Sequence, residues 1–127
     1  IFESRRMRKA LGGGMRQGGI IAAAGHLSLN KMVHQLKNDH VHAKQLADGI
    51  NNIDGLIIDT EKVKSNIIYF EVNPEKMQGQ KLIKKMAEYN IHFFEVQLNR
   101  FRLVTHWGIL ETDVNFVIDR LKTILSE

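Results

Sequence analysis

The chain has 127 residues, 43% of them hydrophobic and 25% charged, with a net charge of +4 and no cysteine. That is enough for one compact domain with a hydrophobic core, and the composition is ordinary for a globular protein. It excludes a disulfide framework, a thiolate metal site and a cysteine nucleophile, and the longest apolar run, Ile20 to Ala24, is far below the roughly 18 residues of a membrane span. The absence of cysteine fits a reducing compartment, and a cytoplasmic location is expected. An isoleucine at position 1 reads as a polypeptide that begins upstream.

In chain order, Phe2 to Leu11 is expected to be a short helix with Met7, Ala10 and Leu11 inward, stopped by Gly12-Gly13-Gly14. Gln17 to Leu29, rich in Ala and Ile, reads as a buried helix. Lys31 to Ile53 repeats Val33, Leu36, Ala43, Leu46, Ala47, Ile50 and Ile53 at helical spacing and predicts one long amphipathic helix. Gly55 breaks it. Leu56 to Ile58 and Ile67 to Val72 read as strands and Gln80 to Tyr89 as a helix. Ile91 to Val96 and Arg100 to Thr105 form a hairpin around Gln97-Leu98-Asn99. The apolar repeat Val114, Val117, Ile118, Leu121, Ile124, Leu125 predicts a terminal helix. From residue 56 the order is β-β-α-β-β-α, a small sheet covered by helices in an α/β (α+β) arrangement.

Two places could bind an anion. Residues 1–16 hold five cations, Arg5, Arg6, Arg8, Lys9 and Arg16, against the single acid Glu3. Glycines let backbone amides approach a ligand closely, and the planar fork of Arg16 suits phosphate or carboxylate. The run lacks the spacing of the familiar phosphate loops, however, and Gly12 to Gly14 is more often a helix stop. Arg5 and Lys9, four apart, repel mildly in an isolated helix. The second place is the strand around Arg102. Period-two geometry puts Arg100, Arg102, Val104 and His106 on one face and Phe101, Leu103 and Thr105 on the other. A cation amid this much apolar sequence is costly unless paired. Glu71 and Glu95 lie on nearby strands, so spacing alone favours an internal salt bridge over a bound carboxylate.

No metal site is expected. His34 and His42 share a helix face but lie roughly 12 Å apart at 1.5 Å rise per residue. His40, beside Asp39, reads as a hydrogen-bonded structural residue. No serine with a paired base and no spaced carboxylate pair stands out.

The motifs taken together do more. Arg5-Arg6-Met7-Arg8-Lys9-Ala10-Leu11-Gly12-Gly13-Gly14-Met15-Arg16-Gln17, Ile20 to Gly25, Asp39-His40-Val41-His42-Ala43, Leu46-Ala47, Ser65-Asn66-Ile67-Ile68 and Arg102-Leu103-Val104-Thr105-His106 occur in order. They resemble the low-specificity threonine aldolases, pyridoxal-phosphate lyases of the aspartate-aminotransferase fold type. The resemblance runs over nearly the whole chain. It implies a carboxy-terminal part of such an enzyme: residues 1–30 closing the large cofactor-binding domain, 31–55 a bridging helix, 56–127 the small domain. The lysine that forms the cofactor Schiff base is then expected upstream, so that no catalytic residue lies in this chain, which would be inactive alone.

The resemblance further implies that Arg102 grips the substrate α-carboxylate, that Lys9 and Arg16 lie near the pyridoxal 5'-phosphate site, and that Asn66 and His106 are structural. The implied reaction is reversible cleavage of a β-hydroxy-α-amino acid such as threonine to glycine and an aldehyde. The implied assembly is a homotetramer, with a small-molecule substrate and no nucleic-acid or membrane partner. One departure is visible. Gly108 and Leu110 stand where the family usually has an acidic residue and a helix-capping serine, so Thr112 is expected to start the last helix instead. Two other readings compete with the aldolase: a non-catalytic αβ interaction domain, and a basic nucleic-acid-binding module whose helix lacks the aromatics that stack on bases.

Overall fold

The computed structural model describes residues 1–126. They form two compact units that divide between His34 and Gln35.

The first unit contains α1 (Phe2–Ala10) and α2 (Gly19–Leu27), followed by a wider π-turn at Ser28–Met32. The glycines end α1 through hydrogen bonds. Gly12, at φ +90°, directs its N–H to the Lys9 carbonyl at 3.2 Å, and Gly13 bonds the Arg8 carbonyl at 2.8 Å. This Schellman arrangement satisfies two carbonyls that the helix leaves open, and the left-handed residue it needs is cheapest as glycine. Neither α1 nor α2 buries a residue. The expectation that Met7, Ala10 and Leu11 point inward, and that residues 17–29 form a buried helix, is therefore not met. Those apolar side chains are exposed, since the first unit has no core of its own.

The second unit holds the core. Here α3 is Leu36–Asn51, shorter than the continuous helix expected over 31–53, since residues 28–35 adopt π and 3₁₀ turns instead. Its apolar stripe of Ala43, Leu46, Ala47 and Ile50 is buried, and Ile53 just beyond joins it, whereas Val33 and Leu36 stay exposed. Asn52 caps the end by donating to the Asp48 carbonyl, and Gly55 at φ +91° turns the chain into β1 (Leu56–Ile57). A 3₁₀ turn leads to β2 (Ile67–Val72), where Ile68, Phe70 and Val72 face inward and alternate with outward Ile67, Tyr69 and Glu71.

α4 is Gly79–Ala87, β3 is Phe94–Gln97, β4 is Arg100–Val104 and α5 is Glu111–Ser126. All strand pairs are antiparallel, in the order β1-β2-β4-β3. β3 begins three residues later than expected, and a bulge at Val96 shifts its register against β4. Phe70, Phe93 and Phe101 stack in the core with centroids 5.2–6.0 Å apart, each such pair worth roughly 0.5–1.5 kcal/mol beyond its buried area. Buried residues of α3, α4 and α5 share this cluster with the inner face of the sheet.

α5 starts at Glu111, not Thr112. Leu110 precedes it with no side-chain cap of its own, and the Asp113 carboxylate accepts the Leu110 N–H at 2.9 Å. An acid in the first turn thus supplies half of a capping box where the expected serine is missing. α4 is capped from a distance: Asn99, at φ +59° in the β3–β4 turn, accepts the Gly79 N–H at 2.9 Å.

Candidate functional site

Buried residues of α3, α4 and α5 pack on the inner side of the sheet, and within the second unit the side chains of its other face are exposed or half-buried. Outward residues there are Ile57, Ile67, Tyr69, Glu71, Phe94, Arg100, Arg102 and Val104. The expected two-face split of β4 holds, with Phe101 and Thr105 buried and Arg100 and Arg102 outward.

The two arginines differ in their partners. Arg100 stands opposite Glu71, with its Nε 3.8 Å from the carboxylate, and its guanidinium lies 5.4 Å from the centroid of the Tyr69 ring. Arg102 is placed between Tyr69 on β2 and Phe94 on β3, its register partners. Among the described residues it has no acidic partner. The internal salt bridge that spacing favoured for Arg102 is therefore absent, and the reason is visible. Glu71 is taken by Arg100, while Glu95 accepts the Asn99 N–H at 2.7 Å and a short hydrogen bond from Gln80.

Arg102 lines an open groove of about 600 Å³ whose walls include Tyr89, Phe94, Phe116 and Val117, with His106 beside them. Asp113 also borders it, already holding the Leu110 N–H. His106 is exposed, and its Nδ1 lies 2.8 Å from the Trp107 carbonyl. A carbonyl only accepts, so Nδ1 is the donor in this contact. The aromatic walls were not singled out in the sequence. Phe94 looked like an ordinary strand residue, and only the strand order places it beside Arg102.

The end of β4 is fastened from two sides. Asn66 donates to the Thr105 carbonyl at 2.6 Å and accepts the Thr105 N–H on its own carbonyl at 3.0 Å. Thr105, 2% exposed, donates its hydroxyl to the Asp39 carbonyl of α3 at 2.7 Å. Asp39 is thus the buried structural residue. His40, expected to be hydrogen-bonded, is exposed, and its ring makes no hydrogen bond with the described residues.

In the first unit, Lys9 and Arg16 are exposed and carry no acidic partner among the described residues; only Arg6 is paired, to Glu3 at 3.6 Å. The stems of Arg8 and Lys9 lie along the glycine turn, where a Cβ on Gly13 or Gly14 would come within 2.6 or 2.9 Å of them. Arg5, Arg8 and Lys9, without acidic partners among the described residues, beside a turn whose Gly13 and Gly14 leave no room for a Cβ, fit an anionic group such as a phosphate.

The model of the beta-eliminating lyase family matches residues 1–73, more than half of the chain. The chain belongs to the beta-eliminating lyase family. It is 34% identical to a probable low-specificity L-threonine aldolase of Arabidopsis thaliana over 98% of its length. It is 33% identical to a low-specificity L-threonine aldolase of Escherichia coli K12 over 86%. It covers 35% and 31% of those proteins, so it spans about a third of the curated relatives it matches. In structure it resembles a variant of C-DES that has glycine covalently linked to its PLP cofactor. The TM-score is 0.66 at 18% identity, covering 82% of this chain and 28% of that one. At that identity the likeness establishes the fold, and the helix-covered antiparallel sheet agrees with it. No helix of the described residues is long and apolar enough to cross a membrane.

Proposed function

We propose that this chain is the carboxy-terminal part of a cytoplasmic, pyridoxal-phosphate-dependent lyase that cleaves β-hydroxy-α-amino acids to glycine and an aldehyde. Residues 1–30 would close the large cofactor-binding domain, 31–55 would bridge, and 56–127 would form the small domain. Family membership and the aldolase relatives support the reaction class. The observation that carries the site is Arg102: both nearby glutamates are engaged, and its guanidinium, with no acidic partner among the described residues, lines an aromatic-walled groove.

In this reading Arg102 binds the substrate α-carboxylate through two parallel N–H···O bonds. A bidentate pair fixes the plane of the carboxylate and so the direction of the Cα–Cβ bond. In the cleavage the β-hydroxyl loses its proton, the Cα–Cβ bond breaks, Cβ becomes the aldehyde carbonyl and Cα takes a proton. Pyridoxal phosphate, when bound, supplies the electron sink for the pair released at Cα. Lys9 and Arg16 contribute positive charge toward its phosphate. The catalytic lysine is expected upstream of Ile1 and the assembly is a homotetramer.

The test is Arg102→Ala in the full-length enzyme. Loss of a charged hydrogen-bonded pair is worth about 1.5–3 kcal/mol, so kcat/KM should fall roughly 10- to 100-fold. Cofactor retention, read by absorbance, should be unchanged. For Lys9→Ala and Arg16→Ala the cofactor dissociation constant should rise instead. Unaltered kinetics in Arg102→Ala would remove the carboxylate role.

A further inference from the structure

Two arginines share the outer face of β4, and among the described residues only Arg100 has an acidic partner. Arg100 and Arg102 are two residues apart on the same side of a strand, which puts their Cα atoms roughly 6–7 Å apart. Glu71 stands directly opposite Arg100 and lies 3.8 Å from its Nε, and the same guanidinium rests over Tyr69, the residue in register with Arg102. Tyr69 thus carries the Arg100 guanidinium on its ring and is in register with Arg102, and Glu71 is the only described acid paired with either arginine.

We infer that Glu71 is a specificity determinant: by holding Arg100, it keeps this face a receptor for one carboxylate and excludes substrates with a second acidic group. The inference rests on the carboxylate role of Arg102 argued above. Arg100, Tyr69 and Glu71 line a cavity distinct from the Arg102 groove; without Glu71, the Arg100 side chain, nearly half exposed, would be free to swing across Tyr69 toward Arg102. A guest with two carboxylates could then bridge the two guanidinium groups. With Glu71 in place, Arg100 is neutralised, and the Glu71 carboxylate repels a second negative charge in the guest. Glu71 thus acts through Arg100 and through its own field and need not touch the substrate.

The test compares acetate with malonate, the smallest pair differing by one carboxylate, as competitive inhibitors of the full-length holoenzyme. The readout is the ratio of their inhibition constants, which a purely structural role for Glu71 would not move. In Glu71→Gln, malonate should gain roughly fivefold on acetate, the scale set by an exposed ion pair. Glu71→Asp should restore the original ratio, and adding Arg100→Gln to Glu71→Gln should abolish the gain. An unchanged ratio in Glu71→Gln overturns the inference, as does a gain that survives loss of Arg100. If acetate inhibition is indifferent to Arg102→Gln, the carboxylate reading itself fails, whatever the ratio does.

Discussion

The Thr105 hydroxyl donates to the Asp39 carbonyl at 2.7 Å, across 66 residues of chain. This bond fastens the end of β4 to α3, and Asn66 fastens the same point to the start of β2. Thr105→Val keeps the shape and removes the donor, while the Asp39 carbonyl, inside α3, keeps its helical N–H partner. The cost should be about 0.5–1.5 kcal/mol by denaturant unfolding. A midpoint that does not move would show that the bond contributes nothing.

Gly49 on α3 faces Ile118 on α5 so closely that a Cβ would come within 2.3 Å of Ile118 Cδ1. Its helical backbone is ordinary, so glycine is required there for space and not for φ. Gly49→Ala would normally stabilise a helix. Here overpacking should dominate, destabilising by about 1–3 kcal/mol. Ile118→Ala in the same chain makes room, and the two changes should be less than additive. Strict additivity in the double-mutant cycle would contradict this contact.

Acid sensitivity should come from exposed pairs. The hydrogen bond and charge of Lys76, 2.5 Å away, hold the Asp54 carboxyl below its ordinary range; the hydrogen bond of Lys62, at 2.8 Å, does the same for Asp59. A lowered folded pKa adds stability that is present above the unfolded value, about 3.9, and is lost as pH falls through the folded one. Both aspartates are at the surface, so the effect is small and screened by salt. Asp54→Asn should flatten the stability profile below about pH 4 at low ionic strength, the unfolded Asp value setting that limit. If its slope there matched that of the parent, the pair would be energetically silent.

Much of the second unit was legible from period alone. Ile67 to Val72 alternates over its full length, and α5 repeats Val114, Leu121 and Ile124 at helical spacing, so both elements are found where expected. The strand order was not legible, because nothing local tells β2 to pair with β4 before β3 does. That order decides the partner of Arg102: Glu71 and Glu95 were equally plausible until the register gave one to Arg100 and turned the other toward Asn99. The first unit misled for a different reason. Met7, Leu11, Ile20 and Ile21 are apolar enough to be buried, but burial needs a covering surface, and the first unit has no core of its own to supply one. The shift of the α5 start from Thr112 to Glu111 turned on Asp113, whose reach back to Leu110 had no signature beyond an acid in the first turn.

The central claim is that the free guanidinium of Arg102 recognises a carboxylate. It is tested most directly by pairing Arg102→Gln with a substrate whose carboxylate is blocked as an amide, and measuring kcat/KM for all four combinations in the full-length enzyme. The account expects each change alone to cost roughly 10- to 100-fold, and the two together little more than either. Losses that multiply, with the amide penalised as heavily in the variant as in the parent, would contradict it.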